Sequence, residues 1–74
     1  MNLSETKTGQ SGMICGISGD ARFLSRVTSV GITEGCRFTV MQNHLKRPVL
    51  LYARDSAIAL DRDDCAHILV EVDR

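Results

Sequence analysis

Apolar and polar residues alternate in two stretches of the chain and recur with a helical period in a third. In "CRFTVMQ" (36–42), Cys36, Phe38 and Val40 fall on one side and Arg37, Thr39 and Met41 on the other. That is the period of a half-buried strand. "HILVEVD" (67–73) repeats it, with Ile68, Val70 and Val72 predicted inward and Leu69, Glu71 and Asp73 outward. "MICGI" (13–17) is a short apolar run between small residues and reads as the first strand. "VLLYAR" (49–54) is mostly apolar, which predicts cover on more than one side; Pro48 stands at its start, where a missing N–H is tolerated. "AIAL" (57–60) then returns antiparallel to it across a tight turn at Asp55-Ser56, Asp being one of the residues that accept positive φ.

The helical period lies between the first two strands. Phe23, Val27 and Val30 recur at i, i+4 and i+7 with Leu24 beside them, and Arg22, Arg26 and Ser29 share the other face. Asp20 is placed to cap the N-terminus, and Gly31 to take the left-handed conformation that closes the helix. A second helical turn is expected in "DRDDCA" (61–66), where Asp63 and Asp64 suit the positive end of the helix dipole. The pattern therefore predicts a mostly β fold. Five short strands curl into a small closed or nearly closed barrel, with one short helix after the first strand and a helical turn before the last. Residues 1–11 read as a flexible polar lead-in and 12–74 as a single domain.

Composition narrows the function classes. Nine basic side chains balance nine acidic ones, so the chain lacks the basic excess that marks a nucleic-acid binder. With one Tyr and two Phe, both Phe assigned to the core, a base-stacking platform is poorly supplied too. Cys15, Cys36 and Cys65 are odd in number and form no C-x-x-C pair, which predicts buried free thiols in a reducing cytoplasm. "MNLSETKTGQSGM" has no apolar core of a secretory leader, and no apolar run approaches the roughly 18 residues of a membrane span.

Two segments and the strand between them carry a resemblance. "R-V-x-x-V-G-I-x-x-G", Arg26 to Gly35, resembles the R-L-x-x-L/M-G-I-x-P-G segment of the FeoA family. "I-A-L-D-R-D-D-C-A-H-I-L-V", Ile58 to Val70, is similar to that family's I-A-L-R-R-E-E-A-x-x-I-x-V, and "R-P-V-L-L-Y-A-R" to its P-V-x-V-x-V strand. The resemblance covers about residues 12–72. It implies an SH3-like barrel and a cytoplasmic, bacterial accessory role in ferrous iron transport. The implied partner is the cytoplasmic part of FeoB, a transporter with a GTPase domain, and the family carries a general link to transition-metal binding. The chain departs from the pattern at Asp55, where the family has glycine, at Glu34, where it has proline, and at Asp61, where it has a basic residue. The family's longer Gly-Pro connection is here the shorter "NHLKR". A second implied class is a stand-alone regulatory domain, like the C-terminal domain of iron-dependent repressors, acting on a protein or peptide.

Candidate chemistry is sparse. Cys15, Cys36, Cys65, His44, His67 and the aspartates 61, 63 and 64 are the metal-ligand types present, without the closely spaced pairs that assemble a site, so no metal or cofactor is expected beyond a weak divalent contact. No G-x-x-x-x-G-K or G-x-G-x-x-G cradle and no local nucleophile signature occurs, and a non-enzymatic protein is predicted. Interaction remains. His44, Leu45, Lys46 and Arg47 put a leucine among cationic side chains on a predicted loop, and Arg22 and Arg26 stand on the outer helix face. These six are the candidate partner-binding residues, with recognition resting on local shape rather than long-range charge.

Overall fold

Five antiparallel strands form one sheet in a computed structural model that describes residues 1–73; Arg74, the end of the expected 12–74 unit, lies outside the described residues. They are β1 (Ser11–Ile17), β2 (Arg37–Gln42), β3 (Val49–Ala53), β4 (Ser56–Leu60) and β5 (Ile68–Val72), in the spatial order β4-β3-β2-β1-β5. Helix α1 (Ala21–Ser29) follows β1, and the single turn α2 (Arg62–Cys65) precedes β5. The sheet curls around its core without closing, because β4 and β5 are both edge strands. The expected barrel is thus an open one.

Alternation places the core. Phe38 and Val40 of β2, Val49 and Leu51 of β3, and Ile68 and Val70 of β5 are buried on the inner face. β3 departs from the expected two-sided cover. Its Tyr52 is exposed and Leu50 only half-buried, so the strand has one solvated face like its neighbours. β1 carries a bulge between Ile14 and Gly16, and with Gly12 and Ile14 facing inward, alternation leaves Cys15 on the solvent side. The prediction of three buried thiols therefore holds for Cys36 and Cys65 and fails for Cys15.

The end of α1 explains another difference. Gly31 has φ 100°, its N–H donates to the Thr28 carbonyl at 3.0 Å, and the Ile32 N–H donates to Val27 at 2.9 Å. That pair of bonds is a Schellman closure, which brings the residue after the glycine back onto the helix. Ile32 consequently takes the inward place and is fully buried, while Val30, expected to point inward, is 47% exposed. The N-terminus of α1 follows expectation, with the Asp20 carboxylate accepting from the Phe23 N–H at 2.8 Å. Arg54 and Asp55 both have positive φ, 51° and 61°, so the β3–β4 hairpin turns on that pair and not on Asp55-Ser56. This is the two-residue turn whose twist matches a hairpin, usually built with glycine.

The segment expected as a loose lead-in packs against the sheet. Leu3 opens a 3-10 turn (Leu3–Glu5) and has no exposed surface. Asn2 bridges to Leu69, and the Met1 carbonyl accepts from the Val70 N–H at 2.9 Å on the outer edge of β5. Farther along, the Gly9 N–H donates to Val40 and the Val40 N–H to Gln10. A polar composition concealed one leucine that fills the core, with main-chain bonds around it that leave no composition signal.

Candidate interaction surface

The loop between β2 and β3 is built around a four-residue turn. The Arg47 N–H donates to the His44 carbonyl at 3.2 Å, and Leu45 and Lys46 occupy the corners. Lys46 has φ 66°, a left-handed conformation that is unfavourable for a residue with a Cβ. Leu45 is 85% exposed, the most exposed of the large apolar side chains. A leucine at the tip of a strained, tightly bonded turn is held out to solvent by its backbone.

Two residues outside the predicted set fix that turn. Arg62, the first residue of α2, extends its guanidinium under the loop. Nη1 donates to Asn43 Oδ1 at 2.6 Å and to the His44 carbonyl at 3.0 Å, with Arg47 O at 3.4 Å, and Nη2 reaches Ser4 O at 3.3 Å. Asn43 completes the latch: its N–H donates to Thr8 Oγ1 at 3.1 Å and its Nδ2 to Ser4 O at 3.2 Å and to Thr6 O. The planar fork of an arginine can serve several carbonyls at once, which a lysine ammonium on its flexible stem does less well. Sequence reasoning missed both residues. Most of their partners are main-chain oxygens, up to 58 positions away, and such pairings leave no local pattern.

The six predicted residues do not form one cationic patch. His44, Leu45, Lys46 and Arg47 lie on one flank of α2 and Arg26 on the other, with Asp61, Asp63 and Asp64 between them. Arg26 Nη2 donates to both carboxylate oxygens of Asp64 at 3.0 Å, and its guanidinium sits 5.4 Å from the centre of the Phe23 ring. Arg22 is exposed near Phe23, Asp64 and His67. The surface around α2 is therefore mixed in sign, with one projecting leucine.

Cysteine and histidine positions bear on metal chemistry. Cys65 is fully buried with Sγ toward the Leu60 carbonyl, whereas His67 packs edge-on to Phe23 at 5.7 Å, so this pair diverges. Among the described residues, no three His, Cys, Asp or Glu side chains come together as a metal site would require. Burial pushes the Cys65 thiol up to about 12, the nearby Arg62 charge opposing and Asp64 and Asp61 adding to the rise. Since the thiolate is the reactive form, Cys65 is expected to resist alkylation. With iodoacetamide at pH 8, mass spectrometry should find Cys15 modified first, and Cys36 and Cys65 only once the chain unfolds. A raised folded-state value also means that this thiol supports the fold below pH 9 and that its contribution fades as pH rises from 9 toward 12.

The comparisons with known proteins agree with this fold. The FeoA domain family model matches residues 1–72. The chain belongs to the FeoA family. A fusion of Fe(2+) transport protein A with the Fe(2+) transporter FeoB from Porphyromonas gingivalis is 36% identical over 73 residues, 97% of this chain, which spans only 9% of that protein's length. Among solved structures, a FeoA described as an iron uptake regulatory protein superposes with a TM-score of 0.93 at 22% identity, over 97% of this chain and 96% of that one. A zinc-complexed FeoA from Stenotrophomonas maltophilia, described as a prokaryotic SH3 domain protein, gives 0.81 at 17% identity over 96% and 89%. The T. acidophilum IdeR gives 0.89 at 18% identity, over 99% of this chain and 34% of that one. The SH3-like fold expected from the sequence is thus the observed one, and IdeR shares it as well as the FeoA proteins. No helix among the described residues is long and apolar enough to cross a membrane.

Proposed function

We propose that this FeoA-family chain is a non-enzymatic accessory module that docks, through the loop bearing Leu45, on the cytoplasmic part of a FeoB-type ferrous iron transporter. The observation that supports the reading most is the transport protein A/FeoB fusion, in which one polypeptide contains a stretch 36% identical to this chain. A domain fused to a transporter in one organism is a natural binding partner of the separate transporter in another. The fold likeness to IdeR, at 18% identity, concerns architecture alone and does not favour the repressor-type reading over this one.

The geometry suits docking. Leu45 offers an apolar anchor, His44, Lys46 and Arg47 surround it, and Arg62 and Asn43 hold the turn so that little ordering entropy is left to lose on binding. Lys46 keeps a left-handed backbone in that turn, the kind of strain that collects at functional positions. The module would act by binding one conformation of its partner better than another, shifting the transporter's equilibrium without chemistry of its own. Arg22 and Arg26 flank the same α2 surface and would meet acidic groups at its border.

A pull-down of the cytoplasmic domain of a FeoB-type transporter tests this. The wild-type chain should retain it in at least one nucleotide state, and Leu45→Asp should lose about tenfold or more in affinity through loss of a central apolar anchor. Leu45 makes no core contact to lose, so the variant should melt as the wild type does. Absence of binding under every nucleotide condition would refute the docking role.

A further inference from the structure

The open side of the sheet carries a second feature, separate from the Leu45 loop. Because the β3–β4 hairpin turns on two residues of positive φ, Ala53 and Ser56 form its closing hydrogen-bonded pair. Alternation along the register then directs the main-chain groups of Ser56, Ile58 and Leu60 toward β3 and those of Ala57 and Ala59 toward the free edge. Among the described residues, no loop, turn or cap bond reaches Ala57 or Ala59. Edge strands are usually guarded by lysine, proline, a bulge or a covering segment. The opposite edge has such a guard in Met1 and Asn2, whereas β4 presents two exposed alanines and no bulge.

A helix flanks this bare edge. Arg54, in the hairpin turn, donates from Nε to the Gly31 carbonyl and from Nη2 to Thr33 Oγ1, both at 2.9 Å, tying the C-terminal end of α1 to the start of β4. The Arg26–Asp64 pair ties the middle of α1 to the turn that follows β4. Between the two ties lies a groove of about 230 Å³. Val27 and Leu60 form its floor, Val30 its half-open apolar rim and Ala59 its other wall. At one end stand Asp61, whose carboxylate makes no cap bond and, among the described residues, no ion pair, and Asp64, already shared with Arg26. On the groove side that end therefore offers two carboxylates to one guanidinium, with Lys46, Arg47 and Arg62 on the far side of Asp61.

We propose that this groove is a strand-addition site for an extended segment of a partner protein, one that pairs its main chain with Ala57 and Ala59. An aliphatic side chain would rest on Val27 and Val30, and a lysine or arginine would meet Asp61. Strand addition draws affinity from main-chain bonds and specificity from the side chains that alternate into a groove. The charge at Asp61 selects a basic occupant. Since α1 already stands along the edge, the open slot suits a single strand better than the paired edge of a second copy. Asp61 borders both this groove and the Leu45 loop, but the main-chain groups of Ala57 and Ala59 belong to the groove side alone, so their protection separates the two proposals.

The test pans phage-displayed random peptides of about eight residues on the whole chain and studies the winners in solution. Enriched peptides should alternate aliphatic residues and carry a lysine or arginine. In hydrogen exchange they should slow the amides of Ala57 and Ala59 by about tenfold or more. Ala59→Pro removes an outward N–H that β3 does not use, so it should keep the fold and weaken the peptide about tenfold. Asp61→Asn should weaken it severalfold and flatten its salt dependence. If Ala59→Pro melts early, protection of the two wild-type amides decides alone. The proposal is overturned if no peptide is enriched, if protection falls elsewhere, if a folded Ala59→Pro binds equally well, or if the free chain sediments as a dimer with the Ala57 and Ala59 amides already protected.

Discussion

Gly12→Ala is expected to lower the thermal unfolding midpoint by roughly 10–20 °C, by the size scaling for a domain of this length. A Cβ on Gly12 would lie 2.1 Å from the Glu71 carbonyl oxygen and 3.0 Å from the main chain of Val72. Both neighbours are backbone of β5, so no side-chain rotation relieves the overlap. Gly12 also pairs with Phe38 of β2, and β1 is held from both sides. Relief would require register change on one flank, and overpacking of this kind costs about 1–3 kcal/mol or more. Gly16→Ala is the control. Its Cβ would meet only the Leu69 side chain, at 3.6 Å, an ordinary contact. Circular dichroism melts of the two variants should therefore separate clearly, and equal midpoints would contradict the sheet register described above.

Arg62→Ala should cost about 2 kcal/mol, the usual scale for hydrogen bonds from a charged donor that leave acceptors unpaired. The bonds to Asn43, His44 and Ser4 all depart together, so the 3-10 turn at the N-terminus and the Leu45 loop loosen in one step. Hydrogen exchange at residues 43–47 should accelerate about tenfold or more as that local opening becomes easier. Arg62→Lys should rescue little of this, because one ammonium cannot fan out to the carbonyls on both sides. Unchanged exchange in the loop of Arg62→Ala would show that the turn is held by its own backbone.

The strands and helix were legible where one physical rule governed them. Alternation in 36–42 and 67–73 and the spacing of Phe23 and Val27 report burial directly, and the glycine at 31 reports a left-handed turn. Val30 misled because the Schellman closure hands its inward place to Ile32, an exchange that periodicity cannot register. Cys15 misled because its neighbour Ile14 takes the inward place, and alternation along β1 then turns the thiol to solvent. Leu3 was hidden by its polar neighbours, and its burial rests on pairings with distant strands.

The candidate surface was only half visible. A leucine amid cations marks an exposed loop, and the structure places Leu45 at its tip. The division of the six residues between two flanks of α2 was not visible, since it depends on where Asp61–Asp64 fall in space. Nor could the sequence display Arg62 and Asn43, which bond to each other and mostly to main-chain oxygens far along the chain. The bare edge of β4 follows from strand order, a property of the assembled sheet.

Titration of the isotope-labelled chain with the cytoplasmic domain of a FeoB-type transporter, followed by amide chemical shifts, tests the docking role most directly. Saturable shifts and broadening should centre on residues 43–48 and be lost with Leu45→Asp. A spectrum that stays unchanged at saturating partner, or shifts that survive Leu45→Asp undiminished, would contradict it.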